Sequence, residues 1–194
     1  IENFELNAQL KAGLRNIPIL KELESCDAAV TPTQWQKKQF PTEYHNKLSV
    51  IFDGIDTNFF KPCIDTEKHK STNHKIYNRE TGEEFVLKKT SKIVSYATRG
   101  MEPVRGFPEF MRSLPLILEK NDDAEIIIAG ADRRAYSYDA PSENGSWKEY
   151  MLKELKGTCN LDRIFFCGLL NYQDYRTLLW RSDTHCYLTR PYVT

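Results

Sequence analysis

The sequence predicts an α/β protein built on a Rossmann-like, doubly wound parallel sheet with helices on both faces, and three observations carry this. From residue 91 onward, strand-like runs alternate with amphipathic helical patterns for about a hundred residues. Residues 124–130 contain an isoleucine triplet, Ile126, Ile127 and Ile128, in a run with no polar face, as expected of a strand covered on both sides. Residues 91–130 read as strand, short loop, helix, strand, with Gly100 and Gly106 bounding the loop.

The elements follow in order. Residues 1–25 carry Ile17, Leu20 and Leu23 at helical intervals, and Pro18 suits a helix start. Residues 27–30 make a short strand. Thr33-Gln-Trp-Gln36 then matches a capping box, with Pro41 ending the helix. Residues 47–52 form another strand, and residues 53–56 turn toward Phe59, Phe60 and Pro62. Between Cys63 and Asn73 apolar residues nearly vanish, which marks a loop or linker. Residues 75–79 and 84–88 flank Gly82 as a hairpin. The strand 93–97 leads to a helix with Phe107, Phe110, Met111, Leu114, Ile117 and Leu118 on one face, in which Pro115 predicts a kink. After residue 130 comes a long polar loop, 131–145. Ser146-Trp-Lys-Glu149 then caps a helix with Trp147, Tyr150, Met151 and Leu155 inward. The strand 163–167 ends at Gly168, Asn171 caps a helix bearing Tyr175, Leu178 and Leu179, and residues 184–188 form the last strand.

Composition narrows the function. The 194 residues can bury a core without disulfides or metals, and 27 basic side chains balance 27 acidic ones, so no long-range field draws in nucleic acid or anionic lipid. Five scattered cysteines with no C-x-x-C pair read as reduced thiols, which points to a cytoplasmic setting. No apolar run approaches the roughly 20 residues of a membrane span. Cys63, His69 and His74 are poor tetrahedral ligands in a polar stretch that reads as a solvated loop, and no metal is expected. Because the chain starts at Ile1 and stops at Thr194 just after a strand-like run, it reads as a piece of a longer protein.

In an open parallel sheet, ligands bind beyond the carboxyl ends of the strands, where three segments converge. The first carries Arg99, Gly100, Arg105 and Gly106. Two guanidiniums around a glycine-bounded turn before a helix N-terminus suit a diphosphate, although Arg105 could instead pair with Glu102 or Glu109 and Arg99 could be a surface charge. The second brings Gly130, Asp132, Arg133 and Arg134, which suit either a nucleotide or a salt-bridge cluster. The third, with Gly168, Leu169 and Leu170, could floor a base or be an ordinary strand exit. There is no G-x-G-x-x-G, no P-loop, no G-x-S-x-G and no H-E-x-x-H, which disfavours dehydrogenases, NTPases and hydrolases.

Several runs together resemble the group-1 retaining glycosyltransferases of the GT-B fold. They are Ala28-Ala-Val-Thr-Pro-Thr-Gln-Trp-Gln36, Val50-Ile-Phe-Asp-Gly-Ile-Asp56, Arg99-Gly-Met-Glu-Pro-Val-Arg105-Gly-Phe-Pro-Glu-Phe110, Phe165-Phe-Cys-Gly-Leu-Leu170, Ser182-Asp183 and the stretch from Tyr187 to Pro191. The resemblance covers most of the chain except the hairpin. It implies a hexosyltransferase-type enzyme of carbohydrate biosynthesis that moves a sugar from a nucleotide-sugar to a sugar, lipid or polysaccharide acceptor, with no cofactor. It further implies that residues 1–52 end an acceptor lobe, 53–74 link, and 75–194 form most of the donor lobe. Arg99 and Arg105 would hold the donor diphosphate, Arg105 standing where the family usually has lysine. Catalytic groups and the family's paired glutamates would lie outside these residues, so the chain alone is expected to be inactive. A sugar-nucleotide epimerase of the same fold and a non-catalytic nucleotide-binding scaffold are the alternatives.

Overall fold

The computed structural model describes residues 6–135, 137–141 and 144–189, and the chain divides into two compact units, one ending at Asp56 and the other beginning at Thr57. The first unit contains α1 (Leu6–Ser25), β1 (Ala29–Thr31), α2 (Gln34–Lys37) and β2 (Leu48–Val50), with β1 and β2 parallel. Thr33 accepts from the Gln36 N–H at 3.1 Å, as the capping pattern requires. Lys47 reaches back to the carbonyls of Leu23, Glu24 and Cys26 and so satisfies the end of α1 with a positive charge. Pro18 does not start the helix. It lies inside α1, which is already helical at Leu6.

The second unit opens with α3 (Thr66–Lys70), followed by the antiparallel hairpin β3 (His74–Tyr77) and β4 (Glu84–Leu87). Then β5 (Lys92–Gly100), α4 (Phe107–Lys120), β6 (Ala124–Ala131), α5 (Trp147–Leu155), β7 (Ile164–Gly168), α6 (Tyr172–Arg181) and β8 (Thr184–Cys186) alternate. The four strands pair in parallel in the order β7, β6, β5, β8. This is the sheet that the alternation predicts, although β8 stops at Cys186 rather than Leu188. Arg190 and Pro191 lie outside the described residues.

The two faces of β6 explain the isoleucine triplet. Ile126 and Ile128 point into a core with Tyr96, Phe107, Phe110, Met111, Leu114 and Met151, while Ile127 packs on the other face with Ile76, Leu87, Ile93 and Leu178. Alternate side chains of one strand thus fill two cores, and each buried isoleucine contributes about 1.5–3 kcal/mol. Helices α4 and α5 cover the first face; α6 and the hairpin cover the second. Helix α4 runs as one element through Pro115, and the Arg163 guanidinium gathers the carbonyls of Leu118, Asn121 and Ala124 at its end.

The polar stretch 63–73 is largely exposed, as expected, but it is not all loop: Thr66–Lys70 form α3, and two of its side chains dock. His69 on α3 stacks on His74 of β3 with ring centroids 3.8 Å apart and meets Trp180 of α6 edge-on, while Lys70 pairs with Asp183 at 2.7 Å. The segment docks through imidazoles and one ion pair, contacts that a search for aliphatic periodicity does not register. Arg176 of α6 lies between the rings of Phe59 and Trp180, at 4.1 and 4.6 Å, and ties residue 59 to the same surface.

Candidate functional site

All three sequence-flagged segments meet at the carboxyl ends of β5, β6 and β7, but with a geometry the sequence does not show. Arg99 belongs to the last residues of β5 rather than to a loop. The β5 and β6 register shifts between Ala97 and Gly100, where the Thr98 hydroxyl donates to the Gly100 carbonyl at 3.0 Å. A bulge there re-aims the strand end. After it comes a single 3-10 turn, Pro103–Arg105, and then Gly106, which caps α4 with φ 71°.

Arg99 and Arg105 both line one cavity of about 460 Å³. Its floor is Ala97, Ala129 and Gly130; its far wall is Leu169, Leu170, Tyr172 and Tyr175, with Tyr187 at the rim. Arg99 is exposed and makes no ion pair among the described residues. Arg105 is held more firmly. Its carbonyl accepts from the Tyr96 hydroxyl at 2.8 Å, and its Nε lies 3.9 Å from Glu102 Oε1. Burial pushes the Tyr96 phenol far above its ordinary range, so it acts as a fixed donor to that carbonyl.

Glu102 is the residue that sequence reading misses as a structural part. It is wholly buried, and its Oε2 accepts from the N–H groups of Ala135 and Ser137, both at 2.9 Å. The Ser137 hydroxyl in turn accepts from the Val104 N–H at 3.0 Å. The turn that carries Arg105 is therefore fastened to the long loop after β6. The pairing of Arg105 with Glu102 and a place in the cavity are not alternatives here, since one side chain does both.

Gly100 and Gly106 do not line the cavity; both sit where backbones pack closely. A Cβ on Gly106 would lie 2.4 Å from Leu188 Cβ, and one on Gly100 would lie 2.5 Å from the Arg133 carbonyl oxygen. The N–H groups of Arg105, Gly106 and Phe107 are taken by the carbonyls of Glu102, Pro103 and Glu102, and Pro108 has none. The start of α4 thus spends these groups within its own turn, and the arginine side chains are what the cavity receives from this segment.

Of the remaining flagged residues, Gly130 and Leu169 border the first cavity and also a second one of about 470 Å³, which Asp132, Arg133 and Gly168 line as well. Asp132 accepts from the Ser146 hydroxyl, and Arg134 pairs with Asp139 at 2.8 Å. Arg133 shares neither contact, so among the described residues the segment holds one ion pair, Arg134 with Asp139, rather than a salt-bridge cluster of all three. The tyrosine wall was legible only as helix pattern: Asn171 caps α6 immediately after the β7 exit, which forces the first turn of that helix, and Tyr172 and Tyr175 with it, to the strand ends. Phe60 backs both rings, with centroids 5.9 and 6.1 Å away.

An α/β unit with this strand order and a strand-end cavity has the architecture of the GT-B glycosyltransferases. Residues 2–60 match the family model described as the glycosyl transferase family 4 group. The crystal structure of TarM is similar over 95% of this chain and 29% of its own, at 16% identity and a TM-score of 0.54. Sucrose-phosphate synthase from Thermosynechococcus elongatus is similar over 89% of this chain and 37% of its own, at 12% identity and 0.52. The catalytic domain of starch synthase IV from Arabidopsis thaliana, bound to ADP and acarbose, is similar over 89% and 38%, at 14% identity and 0.50. These identities make the likeness one of fold, and the chain spans little more than a third of these proteins at most. No curated protein matches the sequence.

Proposed function

We propose that the second unit is the donor-binding lobe of a retaining glycosyltransferase that uses a nucleoside-diphosphate sugar. The observation that carries this is the convergence of Arg99 and Arg105 in one cavity at the carboxyl ends of β5 and β6. Two guanidiniums there supply charge-assisted bonds to diphosphate oxygens and stabilise the negative charge that grows on the diphosphate as the glycosidic bond breaks. The aromatic and leucine wall offers apolar surface for the rest of the donor. The catalytic domain of starch synthase IV, similar in fold, is bound to ADP, which supports a nucleotide as a ligand of this fold.

In this reading the first unit contributes to the acceptor lobe, the acceptor is a sugar, lipid or polysaccharide, and no cofactor takes part. The free state of all five cysteines fits a reducing, cytoplasmic setting, and no helix among the described residues is long and apolar enough to cross a membrane. Because the chain spans a minority of each relative's length, transfer by these 194 residues alone is not expected. Calorimetric titration with GDP, ADP and UDP tests the donor site: saturable one-site binding of at least one is expected, and heats indistinguishable from dilution for all three would overturn the reading.

A further inference from the structure

The second cavity shares Gly130 and Leu169 with the first, and one of its sides comes from the β3–β4 hairpin. That hairpin is seated on the exit of β7. The Arg79 N–H donates to the Leu169 carbonyl at 2.8 Å, and the Asn78 amide lies so close to Gly168 that a Cβ there would be 2.2 Å from Asn78 Nδ2. Asn78 Oδ1 also accepts from the Glu80 N–H at 2.9 Å, and the Thr81 hydroxyl oxygen accepts from the Glu83 N–H at 3.3 Å. The hairpin turn is thereby fixed, and Glu80 and Glu83 line the cavity with it. Cationic side chains, Arg133 and Lys148, line it too, and Lys148 is steadied 4.7 Å above the Phe166 ring.

We propose that this cavity reads the base of the donor nucleotide and that its carboxylates select guanine, an inference that rests on the donor-site reading above. The chemistry follows from the edges of the bases. Guanine carries two adjacent donors, N1–H and the N2 amino group, which one carboxylate accepts together, and two acceptors, O6 and N7, which a guanidinium or ammonium group can serve. Uracil offers a single N3–H between two carbonyl oxygens that a carboxylate repels. Adenine offers its N6 amino group beside the N1 acceptor, so only one of the two carboxylate oxygens is satisfied. A cavity with both acids and cations in its wall, beside the diphosphate arginines, matches the guanine pattern of donors and acceptors best.

The test is a calorimetric comparison of GDP, IDP and UDP on the 194-residue chain and on its Glu83→Gln and Glu80→Gln variants. Both glutamates are exposed, so neither variant should lose its fold, and thermal melts verify this. GDP is expected to bind at least tenfold more tightly than UDP, IDP to lose most of that advantage because it lacks the N2 amino group, and at least one glutamine variant to erase it by weakening GDP, with UDP bound no more weakly than by the parent because the repelling charge is gone. Equal affinity for GDP and UDP, tighter binding of UDP, or a GDP preference untouched by both variants would overturn the base assignment and leave the diphosphate site standing. Failure of every nucleotide to bind would instead remove the donor site itself and this inference with it.

Discussion

Removing the Glu102 carboxylate should unfasten the arginine turn from the loop that follows β6. In Glu102→Ala the N–H groups of Ala135 and Ser137 lose their acceptor, and Arg105 loses the carboxylate 3.9 Å from its Nε. A hydrogen bond to a charged group is worth about 1.5–3 kcal/mol, so two set an upper figure of about 6 kcal/mol. Ala135 is exposed and Ser137 half-buried, so water recovers part of this, and a net loss of about 2–4 kcal/mol is expected. At about 2–4 °C per kcal/mol for a chain of this size, the melting temperature should fall by about 5–15 °C. Glu102→Gln keeps one acceptor oxygen and should fall by about half as much. Differential scanning calorimetry of both variants is the assay. A Glu102→Ala melt within about 1 °C of the parent would refute the tie between turn and loop.

Gly130→Ala should destabilise by about 2–4 kcal/mol, because φ is 145° there and a Cβ would lie 2.3 Å from the Thr98 carbonyl oxygen; denaturant titration checks it, and a neutral result would mean that β5 and β6 do not approach as closely at their ends. Acid should weaken the second unit from about pH 6.5 downward. Burial, then His74 and Arg181, lowers the His69 pKa, and burial lowers that of His185, so below 6.5 the unfolded chain binds protons that the folded unit resists. Stability measured against pH in a His69→Gln, His185→Gln double variant should therefore decline less between pH 6.5 and 5 than the parent's, and a parallel decline would sink the assignment.

The fold was legible where burial follows periodicity. The alternation from residue 91, the capping residues Thr33, Ser146 and Asn171, and the two-faced run of β6 each translate local chemistry directly into structure. What stayed hidden depends on contacts between distant segments. Glu102 looks like any polar loop residue until the N–H groups of Ala135 and Ser137 meet its carboxylate. The pair His69 and His74 looks solvated until Trp180 arrives from α6. Pro18 reads as a helix start because its missing N–H costs nothing in a first turn, yet the residues before it continue the helix.

The site was legible in part for the same reason. The strand-end rule and the arginine spacing place Arg99 and Arg105 together, and the structure puts both in one cavity. The glycine that follows each of them, Gly100 and Gly106, shows its use only when Arg133 and Leu188 come within a Cβ's reach. The hairpin gave no functional signal at all, since the chemistry of Glu80 and Glu83 depends on Arg79 meeting Leu169 ninety residues further along the chain.

The central claim is that Arg99 and Arg105 hold a diphosphate, and calorimetric titration of a nucleoside diphosphate into the parent, Arg99→Ala, Arg105→Ala and Arg105→Lys chains tests it most directly. Each alanine variant should weaken binding by roughly 1.5–3 kcal/mol, about ten- to over a hundredfold. Arg105→Lys should lose less, because the charge stays while the planar fork is lost. The Arg99→Ala melting temperature without ligand should barely move, since that side chain is exposed. Parent-like affinity in both alanine variants would contradict the account and return the two arginines to the status of surface charges.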